Sequence, residues 1–259
     1  MIEASIDIQH IMDYLPITYA LQQQDVSKTM VDLKLLKEIP IDGSVNQCQG
    51  FCYNSKKDVF VLACINSENT RQIIYELDPM TFNIVGTYKF RDANVLAHMN
   101  TLTYNPDTNL LYTTNAMVDG HRITTIDADT MSIGNSIMIS ERVFNLAYDK
   151  KTNQFISIVP INATMRRINY YTSQFQLVQS KDIDAHYDDY NNNGAFANDG
   201  KTIFATLSTV ITVDKTGNVT KIASFPKNLE IEDMDMRHNI MYAAVNMNHK
   251  VFIYTMLNY

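Results

Sequence analysis

Short apolar runs separated by polar turns recur along most of this chain, and one block of that pattern can be laid over itself five times. Its copies are Gly50-Phe51-Cys52-Tyr53-Asn54-Ser55-Lys56-Lys57-Asp58-Val59-Phe60-Val61, Thr101-Leu102-Thr103-Tyr104-Asn105-Pro106-Asp107-Thr108-Asn109-Leu110-Leu111-Tyr112 and Asn145-Leu146-Ala147-Tyr148-Asp149-Lys150-Lys151-Thr152-Asn153-Gln154-Phe155-Ile156. A fourth copy is Gly194-Ala195-Phe196-Ala197-Asn198-Asp199-Gly200-Lys201-Thr202-Ile203-Phe204, and a degenerate fifth runs from Asp233 to Tyr242. An apolar run, a turn rich in Asn, Asp, Lys and Gly, and a second apolar run predict a β-hairpin. Aligned on Tyr53, Tyr104, Tyr148, Phe196 and Met236, the copies are 51, 44, 48 and 40 residues apart.

A weaker motif follows four of the hairpins, as in Ile74-Tyr75-Glu76-Leu77-Asp78-Pro79-Met80-Thr81-Phe82 and Thr125-Ile126-Asp127-Ala128-Asp129-Thr130-Met131. It predicts another strand, turn and strand. Four short strands per repeat, at this period, are the content of a propeller blade. The last repeat ends after Val251-Phe252-Ile253-Tyr254 and lacks its fourth strand, whereas Leu33 to Ile41 has the apolar pattern of the outer strand Phe82 to Phe90. A strand from the N-terminal side can therefore complete the last blade and remove an open edge. The expected architecture is all-β, a five-bladed propeller of four-stranded blades over residues 31–259. A β-sandwich also has regularly spaced strands, but it does not call for repeat motifs with a terminal strand swapped in phase.

Residues 1–30 fall outside the repeat. Ile8-Gln9-His10-Ile11-Met12-Asp13-Tyr14-Leu15 has near-helical apolar spacing that Pro16 would stop, so this stretch is expected to be an attachment segment. Its start has no basic region, and no 18 apolar residues run together, so neither a signal peptide nor a membrane span is expected.

Composition changes the picture in two ways. With 21 basic and 28 acidic residues the net charge is −7, which disfavours nucleic acid and anionic lipid as partners. The three cysteines, Cys48, Cys52 and Cys64, make neither a disulfide framework nor a zinc site and are expected to be buried free thiols. No cofactor or metal is implied. The acidic stretch from Asp182 to Gly194 lacks the ligand spacing of a helical calcium loop and is expected to be a solvated inter-blade loop.

In a propeller the first strand of each blade lines the channel, so polar residues just before each hairpin are the candidates for ligand contact. Six positions before the aligned residue stand Gln47, His98, Arg142, Tyr190 and Glu230; four before it stand Gln49, Asn100, Phe144, Asn192 and Glu232. Asn145 and Asn193, beside the same hairpins, join them. Neutral amides with aromatic faces suit the hydroxyls and ring carbons of a sugar. The candidate ligand-binding set is Gln47, Gln49, His98, Asn100, Arg142, Asn145 and Asn193. Hydrolysis would need a pair of carboxylates, for which Glu230, Glu232, Asp233, Asp235, Asp188 and Asp189 are the available acids. Asp58, Asp107, Asp149 and Asp199 fall in hairpin turns and are expected to serve the backbone locally.

The runs Gln49-Gly50-Phe51-Cys52-Tyr53-Asn54-Ser55-Lys56 and His98-Met99-Asn100-Thr101-Leu102-Thr103-Tyr104-Asn105 resemble blade motifs of propeller domains in tail receptor-binding and baseplate proteins of phages that infect staphylococci and related Gram-positive bacteria. The resemblance covers most of residues 31–259. It implies a virion protein, made in the host cytoplasm, whose propeller is a platform, usually trimeric, that recognises cell-wall teichoic acid and its sugar substituents without catalysis. Gln49, Gly50, His98 and Asn100 are the matching positions. No long stem and no domain after the propeller are evident, which leaves room for a baseplate, collar or tail decoration protein attached to other tail proteins through residues 1–30. Arg142, Arg166 and Arg167 are the cations available to offset −7 beside a phosphate chain, so neutral sugar substituents are favoured over the phosphates. A purely structural or protein-interaction platform and a glycan hydrolase are the alternatives.

Overall fold

The computed structural model describes residues 29–30, 32–90, 93–115, 120–162, 164–184, 192–198, 201–206, 209–214, 218–224 and 229–257. The expected helical stretch 8–15 and the residues Tyr190, Asp188, Asp189 and Asp199 lie outside them.

Two strands lead the chain, β1 (Thr29–Met30) and β2 (Asp32–Ile39). Next, β3 (Gln47–Asn54), β4 (Val59–Ile65), β5 (Gln72–Leu77) and β6 (Ile84–Phe90) form an antiparallel sheet in chain order. A single helical turn, α1 (Ala93–Leu96), leads to β7 (Leu102–Asn105), β8 (Leu110–Thr114), β9 (Arg122–Asp127) and β10 (Ile133–Met138), a second sheet of the same order. The third holds β11 (Ala147–Asp149), β12 (Gln154–Pro160), β13 (Met165–Thr172) and β14 (Leu177–Asp184). β15 (Asn192–Asn198), β16 (Lys201–Thr206), β17 (Thr209–Asp214) and β18 (Val219–Ser224) follow. Their sheet has five strands, because β1 adds in parallel to the outer edge of β18. Finally β19 (Glu230–Arg237), β20 (Ile240–Met247) and β21 (Lys250–Leu257) are joined by β2, antiparallel to β21 from Asp32↔Leu257 to Ile39↔Val251. The missing outer strand is thus supplied from the N-terminal side.

This is an all-β propeller built of four-stranded blades, four of its sheets having four strands each. The innermost strands lie against one another in cyclic order: β3 beside β7 and β19, β11 beside β7 and β15, and β15 beside β19. The core is divided accordingly into five apolar clusters, each drawn from two neighbouring sheets. Outer strands alternate partly buried and exposed residues, as in β6, whereas β4 and β5 are apolar and buried almost throughout because other sheets cover both their faces.

The two repeat motifs have distinct physical roles. At the first hairpin, Asn54 Oδ1 accepts from the backbone N–H groups of Lys56 and Lys57, Asn105 Oδ1 from Asp107 and Asp149 Oδ1 from Lys151. At the second, Asp78 Oδ1 takes the N–H groups of Met80 and Thr81 together with the Thr81 hydroxyl, and Asp127 repeats this with Asp129 and Thr130. These side chains mimic a backbone turn and so fix the loop. Phe82, Met131 and Phe175 then adopt left-handed φ of 54°, 57° and 61° and are buried. That backbone is costly for bulky residues, but it turns each side chain inward against the adjacent sheet, where burial offsets the strain. Phe82 packs on Phe60 and Tyr242, and Phe175 stacks on Phe155 with ring centres 4.4 Å apart.

The acids of the first hairpin differ from expectation. Asp149 serves its own turn, but Asp58 forms a bidentate pair with Arg237 and accepts from the Tyr53 hydroxyl, while Asp107 accepts from the Tyr148 hydroxyl on another sheet. The turn role at those two places belongs to Asn54 and Asn105, which precede them. Cys48, Cys52 and Cys64 are free and buried, as expected, and burial pushes their thiols above the usual range.

Candidate functional site

Each inner strand is the first of its sheet, so the residues that head these strands gather at one rim of the ring. Gln47 opens β3 and Glu230 opens β19, and both are at least partly exposed. The positions two residues further on are bulges. The pairing of β3 with β4 shifts between Cys48 and Gly50, which leaves Gln49 as the extra residue, and that of β19 with β20 shifts between Ile231 and Asp233, which leaves Glu232. A bulge re-aims its side chain away from the regular alternation. Asn193 falls within a similar shift in β15, between Asn192 and Ala195, but its side chain lies outside the described part.

The side chains of the candidate set have different fates. Gln49 is 6% exposed. Asn100 donates its backbone N–H to Thr114 O, and its Oδ1 is buried without a hydrogen-bond partner among the described residues. His98 Nδ1 lies 2.7 Å from Asn69 Oδ1, and burial holds its imidazole below the ordinary pKa. Arg142 is exposed, with its guanidinium 4.9 Å from the centre of the Phe144 ring and its stem packed against Gly120, where a Cβ would come within 2.2 Å of Arg142 Cγ. Asn145 is not available to a ligand: its amide is used by the backbone of Ile158, to which Nδ2 donates and from which Oδ1 accepts.

Below the rim, the acids of β19 hold the ring together. Asp233 is fully buried. Its Oδ2 accepts from Phe51 N (2.9 Å) on β3, Leu102 N (2.9 Å) on β7 and the Thr101 hydroxyl (3.2 Å), while Oδ1 accepts from Met234 N. Asp235 accepts from Tyr53 N at 2.6 Å and Met236 N at 2.7 Å. The spacing of two matches the inner edge of β3, which turns alternate N–H groups toward the axis. Burial raises both carboxyls, Asp233 well above the carboxylate range and Asp235 to about 7, against the downward pull of these donors. Glu232 is raised well above its usual value by burial, and Asn246 Nδ2 donates to it. The same Asn246 amide bonds both backbone groups of Cys48 across the sheet boundary. Close approach is also visible at Gly50, where any Cβ would lie 2.8 to 2.9 Å from Leu102 and Thr101.

Two of the three candidate cations are likewise occupied. Arg166 is fully buried and donates to Asn162 O and Met165 O, and Arg167 forms a bidentate pair with Asp182. Among the described residues no cluster of His, Cys, Asp or Glu has the arrangement of a metal site, and no helix is long and apolar enough to cross a membrane.

No protein-family model matches the chain, and no curated protein matches it. Solved structures similar to it include hydrazine synthase of Kuenenia stuttgartiensis (14% identity, TM-score 0.47, covering 80% of this chain and 64% of that one). The WD40 repeats of RRP9 (10%, 0.48, 82% and 60%) and U3-55K (11%, 0.49, 82% and 61%) are others. The chain spans less than two thirds of the length of each. Likeness at this level says nothing of what this chain binds.

Proposed function

We propose that the chain is a non-catalytic tail or baseplate component of a phage virion, whose propeller binds a neutral host cell-surface glycan, such as the sugar substituents of wall teichoic acid, at the rim where the inner strands begin. In this reading the five-stranded sheet is itself a blade, so that five blades close the ring; the cyclic contacts of the inner strands and the five inter-sheet clusters support it. The observation that carries the glycan reading is the pair of neutral amides at matched places of adjacent inner strands, Gln49 and Asn100. Gln49 is the extra residue of the β3 bulge, and Asn100 Oδ1 is buried with no hydrogen-bond partner among the described residues. Amides that can both donate and accept suit hydroxyls, and the Arg142–Phe144 stack adds a planar face; Phe144 O accepts from the hydroxyl of Thr114, whose carbonyl accepts from Asn100 N. Hydrolysis is the weaker reading, because Asp233 and Asp235 already accept hydrogen bonds that tie β19 to β3, and Glu232 accepts from Asn246.

One observation favours a protein-interaction platform instead. Val85 on β6, Met138 on β10, and Leu177 and Val178 on β14 expose large apolar side chains on the outermost strands. The two readings separate in a pull-down of the labelled full chain on intact Gram-positive cell walls, with and without chemical removal of teichoic acid. Binding that disappears on stripping, and that weakens in Gln49→Ala and Asn100→Ala, is the expected result. A folded chain that ignores both walls would sink the glycan reading and turn attention to the outer strands.

A further inference from the structure

In an unbroken strand Cys48 and Cys52 would share a face, because side chains alternate with a period of two. The extra residue Gln49 breaks that alternation. Cys48 turns into the apolar cluster between the first and last sheets, with Phe51, Phe60 and Ile253, whereas Cys52 lies in the cluster between the first and second sheets, with Val61 and Leu102. Cys64 on β4 belongs to the same cluster as Cys48. The bulge thus parts the two cysteines nearest in sequence and brings Cys48 to Cys64.

Cys48 and Cys64 are direct register partners of the antiparallel β3–β4 pair. Such partners either exchange backbone hydrogen bonds or turn their backbone groups outward. Cys48 N donates to Asn246 Oδ1 at 2.9 Å and Cys48 O accepts from Asn246 Nδ2 at 3.1 Å, so both groups point away from β4. At a pair of this second kind the Cα atoms stand about 4.5 Å apart and the side chains are at their closest. A disulfide bridges Cα atoms about 4.4 to 6.8 Å apart. The Cys48 thiol donates to Asn246 Oδ1 at 3.3 Å, and little is lost when it turns to Cys64. Oδ1 keeps Cys48 N, and Nδ2 keeps Cys48 O and Glu232 Oε1.

Both thiols are fully buried, and burial pushes them above the usual range, so thiolate is scarce in the finished propeller. The pair does not need the finished propeller to meet. β3, its turn and β4 are a local hairpin, whereas the contact of Cys48 with Asn246 joins residues 198 positions apart and must wait for a much larger loop to close. We propose that Cys48 and Cys64 are a redox-modification site, a dithiol that closes to a cross-strand disulfide when the chain folds in the presence of a small disulfide, and that the propeller then encloses the bond. One thiolate of the pair attacks a sulfur of oxidised glutathione, forming a mixed disulfide and releasing one glutathione thiolate. The other thiolate attacks the protein sulfur of that bond and releases the second. Two protein thiols are oxidised, one oxidised glutathione is reduced to two glutathiones, and these take up the two thiol protons. The inference is independent of the glycan reading.

The test is to unfold the full chain in urea, refold it over a range of oxidised to reduced glutathione, trap the remaining thiols by alkylation and map the peptides by mass spectrometry. Chain entropy alone ranks the three possible bonds by loop length, with Cys48–Cys52 first, Cys52–Cys64 second and Cys48–Cys64 last. The expected result reverses that order. Cys48–Cys64 should dominate with Cys52 alkylated, and the oxidised chain should keep the circular-dichroism spectrum of the reduced one and melt at a higher temperature, a gain that reductant removes. Cys52→Ala is expected to retain the bond and the gain, and Cys48→Ala to lose both. Bonds to Cys52 in the majority, or three alkylated cysteines at every glutathione ratio, would overturn the inference. A Cys48–Cys64 bond found only in chains that have lost the native spectrum would overturn it too, since the register pair would then not accommodate the bond.

Discussion

Asp235 sits where hydrogen bonding and burial pull its proton in opposite directions. Two N–H groups favour its carboxylate, yet removal from water dominates and pushes the carboxyl up to about 7 from 3.8. The folded protein therefore holds this proton more tightly than the unfolded chain, and the stability it contributes is present in full below about pH 4 and is lost as pH rises through about 7. Glu230, Glu232 and Asp233 are raised as well, so the four acids act in the same direction. Urea unfolding followed from pH 5 to 8 is expected to show stability falling with rising pH. In Asp235→Asn the fall near pH 7 should flatten, and a slope identical to that of the wild type would mean that the two N–H donors, not burial, set this group. None of this was legible in the sequence, where Glu230, Glu232, Asp233 and Asp235 are simply a run of acids before a hairpin. The partners of Asp233 and Asp235 on β3 lie 182 residues away, and only ring closure brings them together.

At the scale of the hairpin, a turn acid and a buried aromatic share the second motif, and they differ in energetic weight. Replacing Asp127 with Ala removes acceptors for Asp129 N, Thr130 N and the Thr130 hydroxyl at an exposed turn, where water can take over, and should cost about 1 kcal/mol. Replacing Phe175 with Ala removes a side chain that is 6% exposed and packed on Phe155, Tyr112 and Tyr171, and should cost roughly 3–5 kcal/mol. Equilibrium unfolding of the two variants checks the ordering. Both roles are written locally, within five residues, and this explains why the hairpins were legible as repeats. The sequence signal was weaker at the rim. Counting back four positions from each hairpin singles out Gln49, Asn100 and Phe144, whereas Asn145, three positions before Tyr148, is spent on its own sheet.

For the whole molecule the decisive element is β2, which contributes the fourth strand of a sheet whose other three strands come from the far end of the chain. Fixing that contact means bringing residues more than 200 positions apart into register, so the entropy lost in closing the ring is concentrated there. A covalent link across it should return much of that entropy by constraining the unfolded chain. Leu35 and Tyr254 are register partners on β2 and β21, and neither is fully buried. Joining them as Leu35→Cys with Tyr254→Cys is expected to raise stability by on the order of 3–5 kcal/mol, reversibly on reduction. The three native thiols are buried and should not compete for the bridge. Thermal unfolding with and without reductant is the measurement. A large reductant-sensitive gain would place the cooperative opening of the propeller at this strand pair. An oxidised variant that melts with the wild type would show that the ring opens elsewhere, with the five-stranded sheet and its short parallel strand β1 the next place to look.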